Sequence, residues 1–345
     1  MQTKKITPQV RRLSFAIAAG LFALTGLQAQ AADIKDRKIK FSYAVAKDNP
    51  IGLAVDRFSQ IVAGKSGGKL KVSGFPNATL GNEIQSMSSA QGGILEMTVV
   101  STAGAAGNVK ELAVFDLPFI FRSEKEADAV VDGDVGQSML KKFADKNLIG
   151  LCYLDYGFRQ VTNNKHPIKR LEDFRDLKIR TLQNRVYLDI FKGLGATPLP
   201  LPYPETYTAL ETKAIDGQES AYLVTKSSSY QDIQQYLTET RHVYLPAVVL
   251  VSKKFWDKLS ADERGVMESS CKEAQTYHRE VSRKMEADVV KDLIKAGMKF
   301  NTIEPKEHAR MVQATAPVIE KYKSELGVEL VNKTLATIET ARKAP

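Results

Sequence analysis

The sequence predicts an α/β protein of two lobes, and three observations carry that prediction. Strand-like apolar runs alternate with helical ones along the chain, which argues a βαβ series and a mostly parallel sheet. The 345 residues exceed what one small core usually serves, even after an N-terminal leader is removed. No low-complexity linker, long Pro or Gly tract or fixed-period repeat separates the halves. Two lobes without a linker imply a chain that crosses between them more than once, which is hinge architecture.

The leader comes first. Lys4, Lys5, Arg11 and Arg12 precede the apolar run LSFAIAAGLFALTGL and the small-residue site Ala29 to Ala31. This is the pattern of a secretory signal peptide over residues 1–31, cut between Ala31 and Ala32. The apolar run falls short of the roughly 20 residues a membrane span needs, and no later run is apolar for that long. The mature protein is therefore expected to be soluble. No Cys lies near the cleavage site, which argues against a lipid anchor and for a free protein in the periplasm or outside the cell.

IKFSYAVA then reads as a strand, and GLAVDRFSQIVAGKSGG as a helix whose Leu53, Phe58, Ile61 and Val62 share a face. LKVSGFP follows as a strand. The second half repeats this logic from LIGLCYLDYG onward. In DLKIRTLQ, Leu177 and Ile179 alternate with charge, and the strand ends on Arg180. Tyr187, Ile190, Phe191 and Leu194 then fall at helical spacing, with Gly195 where a C-terminal cap belongs. ATPLPLPY is a strand, Pro204 opens a helix through Tyr207 and Leu210, and Asp216-Gly217 is turn chemistry before a new element at Gln218, Glu219 and Ser220. VYLPAVVLVSKKFWDKL holds one more strand, after which long amphipathic helices run to the end.

Charge and cysteine content exclude several classes. Removing the four leader cations from the net charge of +9 leaves +5, with both signs interspersed and no basic run interleaved with aromatics. A nucleic-acid surface is not indicated. Cys152 lies in a strand and Cys271 in a helix, at a spacing that forces no bridge, so two buried thiols are expected. Gly64 to Gly68 fits G-x-S-x-G in letters, yet it ends a helix, whereas a nucleophile elbow joins a strand to a helix. It reads as a helix stop. Position 59 is Ser where a phosphate-binding loop needs Gly. His166, His242, His278 and His308 lack metal-ligand spacing, and His242 reads as structural. No catalytic residue, metal or cofactor is expected.

Arg180 is the residue with most functional promise on its own terms. A guanidinium at the carboxyl end of a strand in an open α/β sheet stands where such folds bind ligands, and its planar fork suits a carboxylate. A surface ion pair is the competing reading.

Several segments in fixed order then weigh on that choice: FPNATLGNE, GGILEMTVVS, FDLPFIFRSEKEA, YGFRQVTNNKHPIK, LKIRTLQNRVYLDIFKGLGATPLPLPYPETYTALETKAIDGQES and YLTETRHVYLPAVVLVSKKFWDKLSADER. Together they resemble the DctP-type substrate-binding proteins of TRAP transporters, over essentially the whole mature chain. The resemblance implies a two-lobed periplasmic clamshell of mixed sheets flanked by helices, with hinge strands and a long lobe-spanning helix. It implies lobe I at 32–156 plus 246–285 and lobe II at 157–245 plus 286–345. The function implied is capture of a small organic acid in the periplasm of a Gram-negative bacterium, without catalysis, and delivery to a small and a large integral membrane subunit. A receptor-feeding sensor of the same fold is the alternative, and monomer against homodimer stays open.

By the same resemblance Arg180, in LKIR, salt-bridges the ligand carboxylate, and Arg159, in GFRQ, is a second cationic contact. Glu83 of LGNE, Ser101 and Thr102 after EMTVV, Tyr203, and Gln183 beyond the arginine motif complete the expected site. The family usually reads DGQEN where this chain has DGQES, so Ser220 replaces an Asn, leaving more room and one amide fewer. Where many relatives are polar early in the chain, this one has Tyr43, Ala44 and Val45. Tyr43, Tyr203, Tyr222 and Tyr244 could surround a site with few further charges, which favours a small aromatic, hydroxy or keto monocarboxylate. Glu83 could accept a ligand hydroxyl or cap the helix after Asn82.

Overall fold

In the computed structural model, which describes residues 1–3 and 33–344, the chain is organised around one long strand that belongs to two sheets. The strands are β1 (Arg37–Ser42), β2 (Leu70–Phe75), β3 (Met97–Ser101), β4 (Leu148–Asn163), β5 (Lys178–Thr181), β6 (Thr197–Pro200), β7 (Gly217–Ala221), β8 (Tyr236–Glu239), β9 (Tyr244–Ser252) and β10 (Lys299–Thr302). They follow the order β2-β1-β3-β9-β4-β7-β5-β6, with β8 on β4 and β10 on β8. Residues 148–158 of β4 pair with β9 in the first sheet, and residues 159–163 pair with β7 in the second. All but the first three residues of the expected signal peptide lie outside the described residues.

The sheets are mixed, as expected of the two-lobed fold, and not mostly parallel as the alternation alone suggested. β1–β2, β1–β3, β5–β6, β5–β7 and β8–β10 are parallel, whereas β4 and β9 run antiparallel to each other and to their remaining partners. A strand that must leave one sheet and enter another cannot be placed by a βαβ crossover, and its turn is made locally. The β4–β9 register slips between Gly150 and Cys152 and again between Asp155 and Gly157, where Gly157 adopts φ +90°.

Local sequence accounts for the flanking helices. Asn49 accepts a hydrogen bond from the Ile51 amide and Pro50 occupies the first turn of the helix Pro50–Lys65, which buries Ile51, Ala54, Val55, Phe58 and Val62. That helix stops at Ser66, with Gly67 and Gly68 left-handed, so the G-x-S-x-G letters are a helix end. Asn82 and Gln85 form a capping box for Glu83–Gly92, and Asn184 caps Arg185–Gly193.

Ser260 and Glu263 cap the 35-residue helix Ala261–Lys295. At 1.5 Å per residue it is about 52 Å long and packs on helices beside both sheets. Arg279 and Gln275 tie it to Asp132 at 2.6 and 2.8 Å. Cys271 on this helix is joined to Cys152 on β4 by a disulfide, which corrects the expectation of two thiols: the fold brings residues 119 apart in sequence to a Cα separation of 5.9 Å. No helix among the described residues is long and apolar enough to cross a membrane.

Candidate functional site

The site lies where the two sheets meet. A cavity there, enclosing about 400 Å³ of empty space with its open mouth, is lined from the first sheet's side by Ala44, Val45, Glu83, Ser101 and Leu245, and from the second by Arg159, Arg180, Gln218, Ser220, Tyr203 and Tyr230. Tyr156, beside the β4 bulge, lies between them. Two side-chain bridges tie first-sheet elements to second-sheet elements nearby: Asn49 Nδ2 donates to Ser227 Oγ (3.2 Å), and Asn184 Nδ2 to the Ala103 carbonyl (3.0 Å).

Arg180 comes from β5, where Ile179 turns into the core and Arg180 reaches the cavity, 2 % exposed. Its Nε and Nη2 donate to the Leu201 carbonyl at 3.0 and 2.7 Å. No carboxylate among the described residues pairs with it. Burial lowers its pKa, the neighbouring Arg159 charge adding to the effect against Tyr230 and Glu219. A buried cation without a counter-charge costs several kcal/mol, so an anion entering this cavity is strongly favoured.

Arg159 is equally buried but already neutralised. Its Nε donates to the Glu219 carboxylate and its Nη2 to the Glu219 carbonyl. The two are diagonal neighbours across β4 and β7, because Arg159 pairs with Ala221 and Glu219 with Val161. His242 Nε2 lies 3.2 Å from the same carboxylate and its Nδ1 2.8 Å from Thr240 Oγ1. Burial lowers the imidazole pKa against the pull of Glu219, which leaves a neutral ring behind the ion pair. Glu219 stays ionised although burial opposes it, because Arg159 and His242 hold its pKa down.

Glu83 stands opposite. Its Oε1 accepts from the Ser101 amide (2.9 Å) and from Tyr156 Oη (3.0 Å), and its Oε2 from Ser101 Oγ (2.6 Å). Gly104 makes the room, since a Cβ there would fall 2.7 Å from Glu83 Oε2. Although Glu83 is the first residue of its helix, Asn82 caps that helix, and the carboxylate is held in the cavity wall.

Among the residues singled out from sequence, Arg180, Arg159, Ser220, Glu83, Ser101 and Tyr203 share this lining. Gln183 lies in an adjoining recess with Asn82, Arg180 and Tyr203. Four do not reach the cavity. Thr102 is fully buried and donates to the Pro246 carbonyl (3.2 Å), Tyr43 packs in the first sheet's core ahead of the lining Ala44 and Val45, and Tyr222 packs with Leu237, Val289 and Leu293. Tyr244 is likewise core, edge-on to Phe158. His242, read as structural, supports the Arg159 pair.

Tyr156 and Tyr230 were not singled out, and Gln218 and Glu219 were noted beside Ser220 without a role in the site. Gln218 follows from Ser220 by the two-residue period of a strand, had DGQES been read as one. Its Nε2 donates to Thr162 Oγ1 (3.0 Å), while its buried Oε1 has no protein partner. Tyr156 and Tyr230 carry no local signal. No group of His, Cys, Asp or Glu among the described residues is placed to hold a metal.

The family model for DctP, bacterial extracellular solute-binding protein family 7, matches residues 41–325. The 2,3-diketo-L-gulonate-binding periplasmic protein YiaO of Escherichia coli is 32% identical over 85% of this chain and 88% of its own. The C4-dicarboxylate-binding periplasmic protein DctP of Shewanella loihica is 30% identical over 88% and 90%. Among solved structures, the sugar acid binding protein of Advenella mimigardefordensis in complex with galactonate is 42% identical, with a TM-score of 0.88, over 90% of this chain and 100% of that one. A TRAP periplasmic solute binding protein of Polaromonas bound to D-erythronate is 34% identical with a TM-score of 0.84, over 87% and 99%.

Proposed function

This chain belongs to family 7 of the bacterial extracellular solute-binding proteins, and from that premise we propose that it captures a hydroxylated monocarboxylate of the sugar-acid kind. The family's role is binding small organic acids for TRAP transport. The observation that carries it is the charge layout of the cavity: one arginine without a counter-charge, one already paired, and a carboxylate opposite.

Arg180 receives the ligand carboxylate with the N–H groups that the Leu201 carbonyl leaves free. Charge-assisted bonds of this type contribute roughly 1.5–3 kcal/mol each. Arg159, its charge shared with Glu219, adds a directed donor without a second full cation. Glu83 then repels a second carboxylate and accepts a hydroxyl, and the unpartnered Gln218 Oε1 offers another acceptor. The layout suits a monoanion bearing hydroxyls and disfavours a C4-dicarboxylate.

Residues of both sheets meet the ligand together only when the lobes are closed, so binding selects the closed form. We assign the lobes to 32–156 plus 246–285 and 157–245 plus 286–345, with β4 and β9 as hinge strands. Residues 1–31 are assigned as the export signal to the periplasm, and the closed form as what a small and a large membrane subunit read.

Calorimetric titration of the mature protein with galactonate, D-erythronate and succinate tests the ligand class. The expected result is binding of one or both sugar acids at least about tenfold tighter than succinate, a difference of about 1.4 kcal/mol. Tighter binding of succinate would overturn the assignment.

A further inference from the structure

A second cavity lies beside the segment that leads into β9. It encloses, with its open mouth, about 960 Å³, and Phe119, Phe121, Arg122, Arg241 and His308 line it. Three basic side chains thus converge among aromatic rings. The Arg122 guanidinium has no hydrogen-bond or ion-pair partner among the described residues. Arg241 lies 3.6 Å over the Phe158 ring and takes one carboxylate, Glu124, at 3.4 Å. Two further carboxylates lie near: Glu126, which is engaged by Arg342 and accepts from the Arg122 amide at 2.8 Å, and Glu286, which interacts with Arg241. The His308 ring makes no hydrogen bond and stands edge-on to Phe119 at 5.1 Å.

Two rim residues are also held in a costly conformation. Phe119 and Arg241 are non-glycine residues at φ +57° and +43°, a region that costs of order 1–3 kcal/mol. The Phe119 amide, donating to the His242 carbonyl at 2.8 Å, fastens the rim to the segment behind the ligand site. Arg241 is followed directly by His242, which contacts Glu219, and Phe158 under its guanidinium is followed directly by Arg159.

We propose that this cavity is a second binding site, for a planar organic anion such as an aromatic carboxylate, and that its occupancy is communicated to Arg159 through Arg241 and His242. Arg122 supplies the free guanidinium, His308 a second donor, and Phe119 and Phe121 the faces that take a flat body. An anion drawn to Arg241 competes with Glu124 and moves the residue next to His242. Linkage makes the effect reciprocal, so the acid between the sheets alters affinity here by the same factor.

Proton NMR of the full mature chain tests both parts, because its four histidines give few ring signals to assign. Benzoate is the probe, titrated into an Arg180→Ala background that keeps it from the cavity between the sheets. The expected result is a saturable shift of the His308 resonances, weakened about tenfold or more when Arg122→Gln is added, as loss of one charge-assisted contact implies. Thermal midpoints of the two variants serve as the check on folding. No saturable shift, or one indifferent to Arg122→Gln, overturns the site, and an equal response to inorganic phosphate overturns the planar-anion class. The His242 resonances report the second part: they move with benzoate only while Arg122 is present. If His242 stays still while His308 saturates, the communication is overturned.

Discussion

The two walls of the ligand cavity come from different sheets and bring different chemistry. The first sheet contributes Ala44, Val45 and Leu245, with one carboxylate, Glu83, clamped by Ser101 and Tyr156. The second contributes two buried arginines and the polar Gln218, Ser220, Tyr203 and Tyr230. Within the second wall Arg159 is neutralised by Glu219, and Arg180 is not. On the function proposed above, recognition of the acid group is concentrated on one residue of one wall, while the other wall shapes the remainder of the ligand and admits hydroxyls. This division lets one fold serve many acids, since the body of the ligand can change without disturbing the carboxylate contact.

The harshest test of that asymmetry removes Arg180. Arg180→Ala is expected to weaken sugar-acid binding about 100-fold or more by calorimetry, since at least two charge-assisted bonds are lost. Arg180→Lys should not restore it, because an ammonium lacks the planar fork. Stability should change little or rise, since an unpaired buried cation is relieved. Retained affinity within about threefold would mean that Arg159 carries the acid and that the walls differ less than their charges suggest.

The next test falls on the junction between the sheets. Glu286, on the long helix, lies beside Gly157, where a Cβ would come within 3.6 Å of its carboxylate. Burial raises its pKa to about 7, Glu124 and Asp155 adding to the effect against Arg241 and Arg283. The folded pKa is raised, so this contribution to stability is fully present below about 4.5 and is lost as pH rises through about 7. The loss is about 3 kcal/mol at most, before solvent screening reduces it. Melting Glu286→Gln and wild type between pH 5 and pH 8 checks it. The variant should gain at the upper end, and parallel curves would show that the carboxylate is not held at the junction as described.

Glu83→Gln probes the first wall. Removing its charge should weaken a hydroxylated acid about tenfold and narrow its lead over succinate, because the repulsion toward a second carboxylate disappears. A uniform loss for both ligands would make Glu83 a scaffold for Ser101 and Tyr156.

How much of this was legible before the structure depends on the distance over which each signal acts. Arg180 could be placed at a strand end because β5 alternates over four residues and the helix after Asn184 announces itself by cap and period. β4 was read only to Gly157, because its two register slips interrupt the two-residue pattern, and its continuation to Asn163 carries Arg159 and the change of sheet. The Cys152–Cys271 bridge, the Glu219 partner of Arg159 and the clamp on Glu83 join residues 119, 60 and 18 positions apart. Nothing local encodes such pairings. The tyrosines show the limit of composition: Tyr203 lines the cavity, whereas Tyr43, Tyr222 and Tyr244 are core, and only packing distinguishes them.

Ser220 offers the finest adjustment. It is buried in the second wall, with its Oγ 3.2 Å from Thr225 Oγ1, at the position where the family's motif usually carries Asn. Ser220→Asn fills part of the cavity and adds an amide. The added bulk should weaken galactonate a few-fold, about 1 kcal/mol, while D-erythronate, two carbons shorter, keeps its affinity or gains from the new amide donor. Calorimetry with both acids checks the difference. Equal losses would place Ser220 away from the far end of the ligand, and the second wall would then set acid recognition alone, leaving chain length to Ala44, Val45 and Leu245 across the cavity.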